Sequence, residues 1–250
     1  MKSYLISSTK KSSGKTIIAT GISSILSRTD SLAVFKKGPD YIDPYWLSLA
    51  SKVNCYNLDF FTMSNSEIKK LYKQMSYEKN ISIIEGNKGL FDGISLDGGD
   101  SNASLAHLLK LEVILVIDCV GMTRGVAPLL KGYQEFDKKI KYKGIILNNI
   151  ANDRHENKVI NAINEFTKLK VIGSIHKNKQ LTIMEKKLGL EPVFQNPYTK
   201  NIIKNISSVI KKSVDMKYLI NKKTNNKDNK IPKVVLKKNI YSNLRIGVAF

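Results

Sequence analysis

The sequence predicts an α/β fold built on a doubly wound, mostly parallel β-sheet, and three observations predict it. Short β-branched runs are hydrophobic almost without a break, which is typical of strands covered on both faces. Stretches with helical periodicity alternate with these runs. The first helix is preceded by a serine- and lysine-rich segment that ends like a phosphate-binding loop. In such a sheet, ligands bind at the carboxyl ends of the strands.

The elements follow one another in regular order along the chain. Nearly continuous apolar stretches predict the strands, and apolar residues three to four positions apart predict the helices. The predicted strands cover 4–7, 32–35, 81–86, 113–118, 143–150 and 170–175, and the predicted helices cover 15–27, 64–77, 103–110, 126–136, 155–167 and 199–210. A further strand-like run, LRIGVAF, occupies 244–250.

Length and composition limit the class of protein. With 250 residues, 42% of them hydrophobic, the chain is long enough for one full core with an appendage. No apolar run approaches the roughly 18 residues of a membrane span, and no charged-then-apolar leader precedes the first strand. We therefore expect a cytoplasmic protein without a membrane partner. Cys55 and Cys119 form no metal-binding spacing, so we expect reduced, buried thiols.

The formal net charge of +20 is compatible with more than one kind of partner. A basic protein can bind nucleic acid, but most lysines here fit solvated helix faces, and a polyanionic small substrate would also suit a basic surface. Part of the excess lies in 217–245, where Asp228 is the single acid and NKKTNNKDNK reads as a flexible linker. Charge alone does not separate these alternatives.

The segment SSTKKSSGKT at 7–16 follows the first predicted strand and opens the first predicted helix. In that position, backbone N–H groups and the positive helix end can hold a polyphosphate. Lys15 would neutralise the β- and γ-phosphates, the Thr16 hydroxyl would ligate Mg²⁺, and Gly14 would permit close approach of the backbone. The general motif has glycine where this chain has Thr9. A capped helix start with a chance Gly-Lys-Thr is the weaker alternative.

A second motif, FKKGPDYIDPYW at 35–46, follows the second predicted strand. Its glycine and its prolines, Pro39 and Pro44, would fix the path of a loop. Asp40 and Asp43 present two carboxylates three residues apart, and Tyr41 adds a phenol. This cluster could ligate Mg²⁺ or position a carboxylate substrate beside the γ-phosphate, and the residues alone also allow a plain turn rich in Asp and Pro.

The two motifs resemble known families. The first resembles the loop of the dethiobiotin-synthetase-like branch of P-loop proteins, G-T-x-x-x-x-G-K-T, which has threonine at Thr9 but glycine at Ser8, and often at Ser12. The second resembles the K-x-G-P-D-Y-I-D-P segment of the cobyrinate a,c-diamide synthase family. NLDFFTM at 57–63 and EGNKGLFDG at 85–93 are also similar to segments of that family, and the resemblance covers about residues 1–195.

The resemblance implies a P-loop fold and ATP-dependent amidation of the a and c carboxylates of a cobyrinate-type tetrapyrrole, through acyl phosphates, with ATP and Mg²⁺. It implies phosphate-neutralising roles for Lys15 and Lys36, and binding of the nucleotide at Thr9 and Gly14. Asn148 resembles an adenine-contacting residue. The implied Mg²⁺ ligands are Thr16, Asp40 and Glu85, and the residues implied to orient the substrate and support the acyl-phosphate steps are Tyr41, Asp43 and Asp92.

The family's complete members continue into a glutaminase domain, so we expect three segments here. Residues 1–195 would form the ATP-dependent amidoligase domain, 196–243 a helix and basic linker, and 244–250 the start of a truncated or split glutaminase domain. The expected partners are the corrinoid, a separate glutaminase polypeptide and a second copy of the chain, without nucleic acid. The alternatives are a partition-type ATPase that binds DNA, with Lys10 as the second lysine of a deviant Walker motif, and an inactive remnant subunit.

Overall fold

The computed structural model describes residues 1–178, 181, 185–186, 189–190 and 197–220. The basic segment from residue 221 onward and the strand-like run at 244–250 lie outside the described residues. Within them, no helix is both long and apolar enough to span a membrane.

The fold is a seven-stranded sheet with helices on both faces, as predicted. All pairings in this sheet are parallel, in the order β3-β2-β4-β1-β5-β6-β7. The strands of the sheet are β1 Lys2–Ser8, β2 Leu32–Lys37, β3 Cys55–Leu58, β4 Ile81–Glu85, β5 Glu112–Asp118, β6 Lys141–Ile150 and β7 Val171–His176, and a separate antiparallel pair joins β8 Glu185–Lys186 to β9 Gly189–Leu190. The helices are α1 Lys15–Leu26, α2 Ile42–Ser51, α3 Asn65–Met75, α4 Asn102–Leu109, α5 Val126–Phe136, α6 Asp153–Phe166, α7 Thr199–Ser213 and α8 Met216–Ile220.

Two apolar clusters form the core between the sheet and its helices, one on each face of the sheet. One contains side chains of α1, α2 and α7, and the other contains side chains of α3 to α6. The contact between α1 and α7 requires Gly21, because a Cβ atom there would lie 2.4 Å from Ile210 Cγ1. Residues 4–8 of β1, all of β4 and residues 113–117 of β5 are buried, which explains the continuous hydrophobicity of these stretches.

Helix α2 corrects one expectation about the second motif. Pro44 lies in the first turn of this helix rather than in a loop. Proline is tolerated there because the first helical N–H groups have no partner within the helix. Asp40 precedes the helix and stabilises its first turn, since its Oδ1 accepts hydrogen bonds from the backbone N–H groups of Ile42 (2.9 Å) and Asp43 (3.1 Å). The motif therefore combines a turn with the start of a helix.

Candidate functional site

The loop between β1 and α1 is shaped to bring backbone close to a ligand. Gly14 has φ 92°, in the left-handed region, and a Cβ atom there would lie 2.3 Å from Asn148 Nδ2. The Asn148 amide donates to the Ser13 carbonyl at 2.9 Å, so it holds the loop from the end of β6. Ser12 is also left-handed, with φ 57°, which explains why glycine suits this position in the resembling families.

Lys15 begins α1 and is buried beneath this loop. Its ammonium donates to Ser8 Oγ at 3.0 Å. Burial lowers the pKa of Lys15 to about 8, although the nearby Glu85 carboxylate opposes the shift. Ser8 replaces glycine of the related motif, and its Oγ lies 2.7 Å from the Lys10 carbonyl oxygen and 3.1 Å from that of Lys88, so that its hydroxyl can donate to either. Its hydroxyl therefore ties the phosphate-type loop to the segment at 85–93.

The second motif meets this loop at a cluster of carboxylates around Lys36. The Lys36 ammonium lies 2.6 Å from Asp43 Oδ2, 3.1 Å from Glu85 Oε1 and 3.9 Å from Asp40 Oδ2. The Thr16 hydroxyl donates to Glu85 Oε1 and lies 3.4 Å from Asp43 Oδ2. The fold therefore brings together Thr16, Lys36, Asp43 and Glu85 from β2, β4 and the starts of α1 and α2.

Burial controls the ionisation of this cluster. Desolvation raises the pKa of the fully buried Glu85 carboxyl to about 7, although Lys36 opposes the shift. Burial alone would lower the pKa of Lys36, but Glu85 and Asp43 raise it above its ordinary value. Desolvation and Asp43 also raise the pKa of Asp40. Within the described part of the chain, Glu85 Oε2 is buried and has no hydrogen-bond partner, so the cluster can still accept a cation or donor.

The remaining predicted residues occupy different positions around this cluster. Asp92 Oδ2 accepts a hydrogen bond from the Gly89 backbone at 2.9 Å and therefore shapes its own loop. Tyr41 is 62% exposed at the start of α2, where its ring can meet a ligand. The Thr9 carbonyl accepts from the Tyr133 hydroxyl at 2.9 Å.

Two residues that motif reasoning missed hold these loops together. Tyr133 of α5 donates to Thr9, and its ring lies 5.1 Å from that of Phe91, which precedes Asp92. Asn102 is fully buried, and its amide donates to Ser7 Oγ (3.1 Å) and the Gly89 carbonyl (2.8 Å). The motifs assign a role to neither residue, and only their contacts in the fold identify them.

Two further polar residues, Lys10 and His176, have charged partners nearby. The Lys10 ammonium lies 2.9 Å from Oδ2 of Asp118 in the same chain. The fold places His176 beside Asp153 and Glu156, and the potential metal-ligand atoms of the three side chains lie within 4.8 Å of one another. Its Nε2 is 2.7 Å from Glu156 Oε2.

Neither cysteine has the character of a nucleophile. Burial raises the pKa of Cys119 to about 12 and raises that of Cys55 even more strongly. Both are free thiols, as expected. A thiolate is the reactive form of cysteine, and a raised pKa disfavours that form at neutral pH.

Comparisons with known proteins agree with the motifs. A family model described as an AAA domain matches residues 39–185. Curated proteins named cobyrinate a,c-diamide synthase are similar over most of the chain. The protein of Magnetococcus marinus is 40% identical over 216 residues, 86% of this chain and 46% of the relative, and that of Picrophilus torridus is 36% identical over 251 residues, 100% of this chain and 57% of the relative. These matches confirm the predicted resemblance, and the chain spans about half the length of these relatives.

Solved structures confirm the fold. A signal recognition particle 54 kDa protein of Aeropyrum pernix in complex with GDP has a TM-score of 0.52 at 16% identity, covering 84% of this chain and 48% of that chain. The MinC:MinD cell division protein complex of Aquifex aeolicus has a TM-score of 0.51 at 14% identity, covering 86% and 98%. At such identities the likeness concerns the fold alone.

Proposed function

Because the chain belongs to the family described as an AAA domain, we propose that it binds MgATP at the 7–16 loop and amidates carboxylates of a cobyrinate-type tetrapyrrole, as the names of its curated relatives suggest. The observation that carries this proposal is the meeting of the two motifs. Lys36 and Asp43 come from the segment that resembles the synthases, and they contact Glu85 and Thr16 directly beside the Gly14-Lys15 turn.

A carboxylate does not react with ammonia directly, because its leaving group would be oxide. In the proposed reaction, a carboxylate oxygen of the substrate attacks the γ-phosphorus of ATP, and the bond to the ADP oxygen breaks. Ammonia then attacks the acyl carbon, phosphate leaves with the carbon–oxygen bonding pair, and the nitrogen loses a proton. Such a reaction depends chiefly on positioning and charge neutralisation by the protein. The a and c carboxylates would react in turn.

The side chains present suit a bound Mg²⁺. Hydroxyl and carboxylate oxygens are the ligands that this ion prefers. Thr16, Asp43 and Glu85 lie together, and Glu85 has a buried oxygen without a partner among the described residues. We assign the metal site to these three residues and keep Asp40 as an outer member, because its Oδ1 already accepts two backbone hydrogen bonds. When bound, Mg²⁺ neutralises charge on the phosphate oxygens.

The chain's own residues supply the rest of the proposed chemistry. Lys15 and Lys36 would provide positive charge to the phosphates. Tyr41, Asp43 and Asp92 would orient the substrate carboxylate, and the exposed Tyr41 ring is available to it. Thr9, Gly14 and Asn148 would line the nucleotide, with Asn148 serving mainly to hold the loop through Ser13.

The nitrogen source follows from the cysteines. Since both thiols have raised pKa values, we propose that the chain uses free ammonia and that a separate glutaminase polypeptide supplies it from glutamine. The proposal also includes pairing with a second copy of the chain and a location in the cytoplasm, both as expected from the sequence.

The test is mass spectrometry of cobyrinic acid after incubation with the purified chain, MgATP and either ammonium or glutamine. We expect mono- and diamide with ammonium at alkaline pH, where more free ammonia is present, and no product with glutamine until a glutaminase is added. Lys15→Ala is the control, which should lose ATP binding and product while keeping its native circular dichroism. Absence of product with both nitrogen sources would overturn the amidation, and product from glutamine alone would overturn the assignment of the nitrogen source.

A further inference from the structure

Lys37 is a buried cation on the face of the sheet opposite Lys36. Neighbouring residues of a strand point to opposite faces, so the two ammonium groups at the end of β2 enter different surroundings. Lys37 is 4% exposed. Its ammonium donates to Asn87 Oδ1 at 3.1 Å and lies 5.9 Å from the centre of the Phe60 ring. Among the described residues, no carboxylate forms an ion pair with the Lys37 ammonium.

Asp59 and Asp100, the carboxylates whose charges act on Lys37, already accept hydrogen bonds within their own loops. Asp59 accepts from the backbone and hydroxyl of Thr62, at 3.2 and 2.8 Å, and Asp100 accepts from the backbone of Ile94, at 3.0 and 2.8 Å. Burial lowers the pKa of Lys37, with Asp100 and Asp59 opposing the shift from a distance. A buried ammonium without a paired anion is unfavourable, so its presence indicates an anion that is supplied from outside.

The surface around Lys37 adds a second cation and apolar side chains. Lys88 is exposed on the adjacent loop and has φ 40°, a backbone conformation that non-glycine residues rarely adopt. Phe61, two residues after Asp59, is exposed, and so are Ile94 and Leu96 on the loop that Asp100 closes. A ligand with carboxylate groups on an apolar ring system would match this combination.

We propose that Lys37, with Lys88 at its rim, binds a carboxylate of the polycarboxylic macrocycle other than the one that is phosphorylated. This inference rests on the proposed function. Lys36 and Lys37 are the last two residues of β2 and so lie at the carboxyl end of the strand, the edge at which such sheets bind ligands. A substrate with several carboxylates around one ring, lying across this edge, would present one carboxylate to each face. Lys37 would thus act in binding and orientation of the substrate, while Lys36 acts at the reacting group.

The test compares Lys37→Met with Lys37→Arg and with Lys69→Met, a control that removes one exposed lysine from α3. Cobyrinic acid is the probe, its affinity is measured by calorimetry without ATP, and KM values for the acid and for ATP are measured separately. We expect Lys37→Met to weaken binding of the acid and raise its KM about tenfold, equivalent to ~1.4 kcal/mol. Its KM for ATP and its kcat should stay within about twofold of the wild type.

Further variants keep the inference open to refutation. Lys37→Arg keeps the charge and should recover most of the affinity, and Lys88→Met should have a smaller effect, about threefold. Unchanged KM for the acid in Lys37→Met, with amidation intact, would overturn this inference and leave the proposed function standing. An equal rise in the KM for ATP would also overturn it, because Lys37 would then belong to the nucleotide site. A wild-type chain that neither binds nor amidates cobyrinic acid would overturn the proposed function itself.

Discussion

Lys36 and Lys37 are consecutive residues, but their side chains lie in two regions with opposite electrostatics. On one face of the sheet, the Lys36 ammonium contacts Asp43 and Glu85 and lies near Asp40, and these carboxylates raise its pKa. On the other face, the Lys37 ammonium donates a hydrogen bond to the neutral side-chain amide of Asn87, and burial lowers its pKa.

The difference separates a cation that has carboxylate partners within the fold from one that has a neutral hydrogen-bond partner and, in our proposal, receives its anion from a ligand. Removing one member of a buried ion cluster leaves uncompensated charge, so the first kind of lysine is needed for stability. The second kind costs stability, because it is desolvated without an anion. Comparing the two positions by substitution therefore tests the roles of both faces.

The largest effect is expected on the free energy of unfolding. Lys36→Met should lower it by about 3–5 kcal/mol at neutral pH, because Asp43 and Glu85 lose their counter-ion. Lys37→Met should change it by less than about 1 kcal/mol, because the lost hydrogen bond is offset by the removal of a buried charge. Urea denaturation measures both values.

A double variant supplies the control for this comparison. Lys36→Met combined with Glu85→Gln should be more stable than Lys36→Met alone, since the buried charge at Glu85 is removed together with its partner. Similar losses in Lys36→Met and Lys37→Met would contradict the distinction between the two faces.

The sequence predicted most of the fold, and the bounds of α5, 126–136, match the structure. It missed α2 because Pro44 was read as part of a loop, although the first turn of a helix accepts proline. It missed β3, a short strand at the edge of the sheet, because four residues carry little periodicity.

Motifs named the residues of the candidate site more readily than their partners. The three-residue spacing of Asp40 and Asp43 could not decide which carboxylate faces Thr16, since that depends on where α2 begins. The sequence also did not show the contrast between Lys36 and Lys37, because the burial and ion pairing of these side chains depend on residues far away in the chain. Asn87 is 50 residues from Lys37, and Glu85 is 49 from Lys36.

The pH dependence of ATP binding extends the comparison to Lys15, which shares the face of Lys36 but has a lowered pKa like that of Lys37. Phosphates favour its charged form, so they raise its pKa in the complex. The affinity for MgATP should therefore be highest below about pH 8, the pKa of Lys15 in the free protein. Above that pH it should fall by up to about tenfold per pH unit. Calorimetry with MgATP between about pH 7 and 9.5 measures this, and Lys15→Arg should give a flat profile. A flat wild-type profile would contradict the assignment.

The smallest effect is expected when the missing anion of Lys37 is supplied from within the chain. Asn87→Asp keeps the side-chain shape and gives Lys37 a carboxylate at the present hydrogen-bonding position. A charge-assisted hydrogen bond is stronger than one to a neutral amide, so the free energy of unfolding should rise by about 1 kcal/mol at pH 7. The pairing lowers the folded-state pKa of the new carboxyl below its unfolded value, about 3.9. The gain should thus be present above about pH 4 and disappear as the pH falls through the folded-state value.

Urea denaturation at pH 7 and pH 3 tests this, with Asn161→Asp on the exposed side of α6 as a control for the change in net charge. Asn87→Asp should also raise the KM for cobyrinic acid, because Lys37 is then already paired with the new carboxylate. The control Asn161→Asp should leave that KM unchanged. Stability that falls at pH 7 in Asn87→Asp would mean that Lys37 is not a cation in need of an anion. The two faces of β2 would then differ in packing alone, and the carboxylate anchor would lose its physical basis.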